Sequence, residues 1–281
     1  MTTGAPPAPQ VPPAAAAEAG PKGWADKDLA GNVHANTDKA ARVRSMFAAI
    51  APAYDLNNRL HSMWRDQAWR RFAVRAAGIK GGETVVDVAC GTGDLSLAFA
   101  KALDRAEGGA GGAAAEGGGR AAPGKVIGID FTAEMLDIAR ARKAHPRVRY
   151  EQGDAQNLQL PDACADVVSI AFGIRNVQDV AKALREFRRI LKPGGRLVIL
   201  EFSEPRLGLM RWFNGVYCRR IMPVTATIIS GDKSGAYKYL PKSVASFSSP
   251  EELATMARAA GFGEIRATPL TMGICTCTVA G

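Results

Sequence analysis

Apolar positions recur at helical spacing through "KAARVRSMFAAIAPAYDLNNRLHSMWRDQAWRRFAVRAAG", from Lys39 onward, and Pro52 interrupts them, so the pattern predicts two helices ahead of the first strand. At Thr84 the period changes. A short apolar run, Thr84 to Val88, leads into the glycine turn "ACGTGD" and then a helix from Asp94 to about Leu103, the first half of a βαβ unit. Beyond Gly124 follow strand "KVIGID", helix "TAEMLDIARARK", strands "VRYEQGD" and "ADVVSIAF", helix "QDVAKALREFRRIL", turn "KPGG" and strand "RLVILEF". Such alternation requires a mostly parallel sheet with helices on both faces, an α/β fold. The remainder reads as an amphipathic helix near Leu209 to Ile221, a helix in "SPEELATMARAAGF" and two strands, "EIRATPL" and "GICTCTVA". Their short connection makes them an antiparallel pair at one sheet edge.

Two stretches lack any period. Residues 1–38 are Ala/Pro-rich and are expected to stay disordered, because ordering them costs chain entropy that no buried surface repays. Residues 106–124, "AEGGAGGAAAEGGGRAAPG", are expected to form a flexible surface insertion within a single domain spanning 39–281. The tail holds no arginine and no apolar run, so neither a transit nor a signal peptide is expected. No apolar run reaches the roughly 18 residues of a membrane span. The five cysteines show no CxxC or Cys/His ligand spacing, so structural zinc and a disulfide framework are not expected, and a reducing cytoplasm is. Net charge is +9; the tail to Asp38 contributes −2, which leaves +11 on the expected domain. That excess admits nucleic acid or an anionic membrane surface as partner, or neither.

The chemistry starts at "VVDVACGTGD". A phosphate-binding loop would need GxxxxGK[ST], which is absent, and the dinucleotide fingerprint would need a third glycine where Ser96 stands. What remains is an acid at a strand end, Asp87, and a turn, Gly91 and Gly93, small enough for backbone to meet a ligand. An acid there favours a cation, and S-adenosylmethionine carries an ammonium and a sulfonium, with a carboxylate suited to the helix start at Asp94. The second strand ends in Asp130, where a carboxylate takes both hydroxyls of a ribose, and the third in Asp154 and Ala155, placed for adenine.

The segments "VVDVACGTGDLS", "VIGIDFTAEML", "GDAQNLQLPDACADVVSIAFGIRNVQD", "LREFRRILKPGGRLVILEFSEP" and "YKYLPKSVASFSSPEELATMARAAGF" closely resemble the ubiquinone/menaquinone biosynthesis C-methyltransferases, from about Arg42 to Val279. The resemblance implies a class I methyltransferase with a Rossmann-like, mostly parallel seven-stranded sheet, an antiparallel edge strand and N-terminal helices. It implies methyl transfer from S-adenosylmethionine to a ring carbon of a prenylated quinol, without a metal. Carried over, cofactor contacts fall on Thr92, Asp130, Asp154 and Ala155, and Ala171 stands where the family has a serine. Arg175, with Asn176 beside it, is then expected to stabilise the quinol anion or hold a water that relays its proton; Asp94 is the weaker candidate base. Tyr54, Tyr237 and Tyr239 lie in segments expected to lid the pocket over the substrate.

A prenylated substrate implies transient contact with a membrane surface, for which the helix near Leu209 to Ile221 is suited, so a cytoplasmic enzyme, peripheral on the inner membrane face, is expected. A second copy of the chain is an admissible partner; nucleic acid is not expected. Methyl transfer to another lipophilic or RNA substrate, and a nicotinamide-dependent dehydrogenase, are the alternative functions.

Overall fold

The computed structural model describes residues 23–25, 27–109, 122–205 and 207–281. Helices α1 (Lys39–Ile50), α2 (Tyr54–His61) and α3 (Arg65–Ala77) precede strand β1 (Thr84–Val88). The expected second helix is thus two: Met63 and Trp64 take left-handed φ values of 50° and 60° and reverse the chain between α2 and α3, a break that apolar periodicity does not register. Then come α4 (Asp94–Gly109), β2 (Lys125–Asp130), α5 (Ala133–Arg142), β3 (Val148–Gln152), β4 (Ala165–Ala171), α6 (Val180–Ile190) and β5 (Leu191–Phe202). Helices α7 (Gly208–Val216) and α8 (Met222–Ser230) flank a π turn, Tyr217–Ile221, and α9 (Ala236–Ala245), α10 (Pro250–Ala259), β6 (Ile265–Leu270) and β7 (Cys275–Ala280) complete the chain.

The strands form one seven-stranded sheet in the order β3-β2-β1-β4-β5-β7-β6. Strand β7 inserts between β5 and β6 and runs antiparallel to both. The rest of the sheet is parallel: helical crossovers lead into β2, β3 and β5, and an irregular connection, 153–164, carries the chain from β3 to β4. Helix α6 shows why such helices dock: Ala183, Leu184, Phe187 and Ile190 make one buried face, and the Asp179 side chain caps the N-terminus by accepting from the Lys182 amide at 2.9 Å. Fully burying a side chain such as Phe187 contributes about 1.5–3 kcal/mol. Helix α10 starts with a capping box between Ser249 and Glu252.

Both aperiodic stretches differ from expectation at their edges. Trp24, Leu29 and Val33 are buried in an apolar cluster with Met46, Ile50, Tyr237 and Tyr239, so the chain joins the fold well before residue 38. These isolated apolar residues have no period of their own and gain partners from distant helices, chiefly α1 and α9. The remaining tail, residues 1–22, lies outside the described residues. Helix α4 runs on through the first part of the expected insertion, and residues 110–121 lie outside the described residues. Glu107 is structural: its Oε1 accepts from the amides of Gly82 at 2.9 Å and Gly124 at 2.8 Å, and Arg147 pairs with it at 2.7 Å. Replacing residues 110–121 by a short turn is therefore expected to leave stability unchanged, since closure entropy varies slowly with loop length. Glu107→Ala, in contrast, is expected to lower the unfolding free energy by about 1–2 kcal/mol in a urea titration. Loss of folding in the deletion variant would make the inserted residues structural.

Candidate active site

At the carboxyl end of β1 the chain turns through Ala89, Cys90 and Gly91 into α4, with Ala89 at φ 52° and Gly91 at φ 56°. The turn's amides are tied down: Cys90 N–H donates to Ile129 O, Gly93 N–H to Cys90 O, and Gly91 N–H to Asp130 Oδ2 at 2.8 Å. Gly93, expected to meet a ligand, is a glycine for another reason. Its φ is 84° and a Cβ there would stand 2.4 Å from the Tyr150 hydroxyl, so the position serves packing against β3.

Three more residues expected at the ligand face elsewhere. The Asp87 carboxylate is only 1% exposed; it accepts from the hydroxyls of Ser96 at 2.6 Å and Ser169 at 2.7 Å, and burial pushes its pKa up to about 6. It bolts α4 and β4 to β1 from behind the turn instead of meeting a cation. The Thr92 hydroxyl is buried and donates to Asp55 Oδ1 at 2.5 Å. Asp94 sits in an ionic cluster with Lys143, with Arg59 at 3.3 Å and with the Gln67 amide at 2.9 Å. Burial works to raise the Asp94 pKa, but Arg70 and Lys143 outweigh it and hold the carboxyl below its ordinary value. An ionised carboxylate saturated with donors makes a poor base.

The remaining strand ends open onto a common pocket. Asp130, at the end of β2, is 9% exposed and lines it. Its Oδ2 holds Gly91 and its Oδ1 accepts from the Thr132 amide at 2.8 Å, which leaves each oxygen a further lone pair. Burial raises its pKa, offset by those amides. Asp154 and Ala155 line the same wall after β3, with the Gln156 side-chain amide donating to both Asp154 oxygens at 3.1 Å. Tyr54 closes the end near Gly91, with α1 covering the opening through Val43 and Phe47.

After β4 the chain bends at Phe172, φ 58°, and runs through a 3-10 turn, Ile174–Asn176, so that Asn176 lines the pocket. The Asn176 amide is held at both ends: Nδ2 donates to Phe172 O at 3.3 Å and Oδ1 accepts from the Tyr239 hydroxyl at 3.0 Å. Arg175 points the other way. Its guanidinium is 3% exposed, pairs with Glu201 at 2.6 Å, donates to Phe172 O at 2.7 Å and lies 5.4 Å over the Phe202 ring. Direct stabilisation of a substrate anion by Arg175 is thus not what the geometry offers: its charge is already neutralised by a buried carboxylate. Tyr237 is buried as well, accepting from the Asn57 side chain at 2.7 Å, and does not line the pocket.

The structure therefore brings Tyr54, Gly91, Asp130, Asp154, Ala155 and Asn176 together, with Tyr239 one hydrogen bond behind Asn176. Ala171 lines the pocket too. Sequence reasoning missed Gln156, Gln178 and the covering face of α1. Gln156 follows "GDA" directly and was within reach of the motif; Gln178, which accepts from the Ala40 amide at 3.2 Å and so ties α1 to the site, leaves no local sign.

Comparison with known proteins agrees with this architecture. Two solved methyltransferase structures share the fold: a SAM-dependent methyltransferase from Aquifex aeolicus, at TM-score 0.51 and 19% identity over 75% of this chain and 88% of that one, and one from Thermotoga maritima, at TM-score 0.56 and 20% identity over 85% and 98%. Among curated relatives, demethylmenaquinone methyltransferases from Thermus thermophilus and Deinococcus radiodurans are 45% and 41% identical, over 82% and 84% of this chain and 96% and 91% of theirs. A ubiquinone/menaquinone biosynthesis C-methyltransferase from Geobacter sp. (strain M21) is 38% identical over 87% of this chain and 97% of its own. The model of the ubiE/COQ5 methyltransferase family matches residues 35–281, and the chain belongs to that family.

Proposed function

We propose that this chain methylates a ring carbon of a prenylated quinol, with demethylmenaquinol as the preferred acceptor. S-adenosylmethionine is the methyl donor, and the pocket fits it: Asp130 offers free lone pairs for ribose hydroxyls, Asp154 and Ala155 offer an acceptor and an apolar face for adenine, and Gly91 adds no side chain between them. When bound, this donor supplies an electrophilic methyl on a sulfonium. The observation that carries the reading is the joining of that cofactor wall to Asn176 and Tyr54 in one cavity.

Carbon becomes nucleophilic when a quinol hydroxyl loses its proton and the oxygen pushes electron density into the ring. The ionisable side chains among the described lining residues are Asp130, Asp154 and Tyr54, and both acids belong to the cofactor wall. The hydroxyl proton therefore passes to water, the ring proton displaced by the methyl group follows it, and the quinol oxygen regains a proton from water, so that one proton is released overall. Asn176, with one N–H left after Phe172 O, and Tyr54, whose hydroxyl burial keeps protonated, donate to the developing oxyanion. Holding ring carbon and methyl in line supplies much of the remaining acceleration. Incubation of the protein with S-adenosylmethionine and a short-chain demethylnaphthoquinol kept reduced is expected to give a product one CH2 heavier, methylated on carbon. Methylation on oxygen, or none, would refute the assignment.

The same reading places the enzyme transiently at a bilayer. Leu209, Trp212 and Phe213 on α7 and Val224 and Ile228 on α8 are 55–76% exposed, and Arg211 and Arg220 are exposed beside them. Aromatic and aliphatic side chains interleaved with arginines suit an anionic membrane interface. The partition constant for anionic phospholipid vesicles, read by sedimentation, is expected to fall at least about thirtyfold for Trp212→Ala combined with Phe213→Ala, since each buried apolar side chain contributes on the order of 1 kcal/mol or more. Wild-type protein that ignores vesicles and sediments as a dimer would assign this face to a second copy instead.

A further inference from the structure

The described residues of 23–35 precede nearly all of the family match, which begins at residue 35, yet they pack on α9, the helix whose Tyr239 bonds Asn176 from behind the pocket. Trp24 is 4% exposed and stacks on Tyr239, with ring centroids 4.4 Å apart and planes 16° from parallel. The backbones touch: Trp24 N–H donates to Ser234 O at 2.7 Å, and a Cβ on Gly235 would stand 2.3 Å from Trp24 O. Further along, Lys242 donates to Leu29 O, Asp28 pairs with Arg42 at 2.9 Å, and His34 Nε2 bonds Ser243 O at 2.8 Å.

Two residues of α9 carry these contacts on to the turn after β4. Tyr239 donates to Asn176 Oδ1 at 3.0 Å, and the Ser243 hydroxyl accepts from Arg175 Nε at 3.3 Å. The two residues of "FGIRN" that bear polar side chains are each reached from the segment through one residue of α9. Trp24 Nε1 is buried without a hydrogen-bond partner, so the indole is placed for its stacking face and not for its donor.

We propose that the described residues of 23–35 act as a strap that positions the site: Trp24 fixes the ring of Tyr239, and through its hydroxyl the plane of the Asn176 amide. Trp24 touches no reacting atom and acts as a positioning residue. The inference rests on Asn176 facing the quinol, as in the function proposed above. A side chain held at both ends keeps its N–H aimed at one point; with Tyr239 free to tilt, the amide rotates and the oxyanion loses its donor for part of the time.

The test is steady-state turnover of a short-chain demethylnaphthoquinol, measured well below the melting temperature, with S-adenosylmethionine affinity measured separately by calorimetry. Trp24→Ala is expected to lower kcat about tenfold with cofactor affinity unchanged within about twofold, a small misplacement having large kinetic consequences. Trp24→Phe, which keeps a stacking ring and drops an unpartnered N–H, is expected to restore most of the turnover. Tyr239→Phe is expected to match the loss in Trp24→Ala, and the two combined to lose no more than either alone, as for groups acting in series. Wild-type kcat in Trp24→Ala, or additive losses, would overturn the strap. If Trp24→Ala does not fold, Tyr239→Phe carries the test, since it removes a single oxygen, and an unchanged kcat there overturns the proposal equally. Normal turnover in Asn176→Ala would instead refute the reading of the site on which the strap depends.

Discussion

Arg175→Ala is expected to lower the unfolding free energy by about 3–5 kcal/mol, the usual consequence of removing one partner of a buried ion pair. Glu201, 4% exposed, would be left buried without the guanidinium that lies 2.6 Å from it. Burial already raises the Glu201 pKa and Arg175 is the main force opposing that rise, so without the arginine the carboxyl takes up a proton well above its ordinary range. Glu201→Gln in the same background should recover part of the loss, because it removes the stranded charge while keeping an acceptor for the Phe202 amide, held at 2.8 Å. Urea titration of the three proteins decides this; an unchanged midpoint in Arg175→Ala would mean that the pair contributes nothing. The combination Arg175→Met with Glu201→Leu separates stability from chemistry. It should regain most of the stability, as apolar pairs of similar volume do, and keep turnover within about tenfold of wild type. A loss on the order of a hundredfold in that stable protein would return the guanidinium to the reaction itself, since that is the cost of a lost oxyanion donor.

Asp130→Ala is expected to weaken S-adenosylmethionine binding roughly ten- to hundredfold, or about 1.5–3 kcal/mol, as for hydrogen bonds to a charged group. The carboxylate has a double duty that makes the upper end the better expectation: besides its free lone pairs it fixes the Gly91 and Thr132 amides, and alanine leaves both without that acceptor. Asp130→Asn retains one oxygen and should fall between the two. Calorimetry is the direct measurement, and unchanged affinity would remove the ribose assignment. Because burial raises the Asp130 pKa, the ionised form is lost at a higher pH than for an ordinary aspartate. Protonation converts an acceptor to a donor, so affinity should decline on acidification and begin to do so above the usual carboxylate range.

Alternation of strands and helices, and the acids at strand ends, were readable in the chain because both are local: a period of two or 3.6 residues sets which face is buried, and a strand's last residue meets the crevice where crossovers diverge. Asp130, Asp154 and Ala155 lie where that reasoning puts them. Asp87 has the same local signature and a different fate, since Ser96 and Ser169 converge on it across α4 and β4 and satisfy its charge away from the ligand. Gly93 looks like part of a ligand turn but answers to Tyr150, on a strand far along the sequence. Arg175 sits beside Asn176 in one motif, yet Glu201 on β5 draws it behind the pocket while Tyr239 holds Asn176 at the front. Trp24 carried no pattern at all in an Ala/Pro-rich tail and found its place only against α9. Periodicity reports which residues can be buried together; the partner that neutralises a charge or stacks on a ring is chosen by chain segments distant in sequence, and only folding brings those within reach.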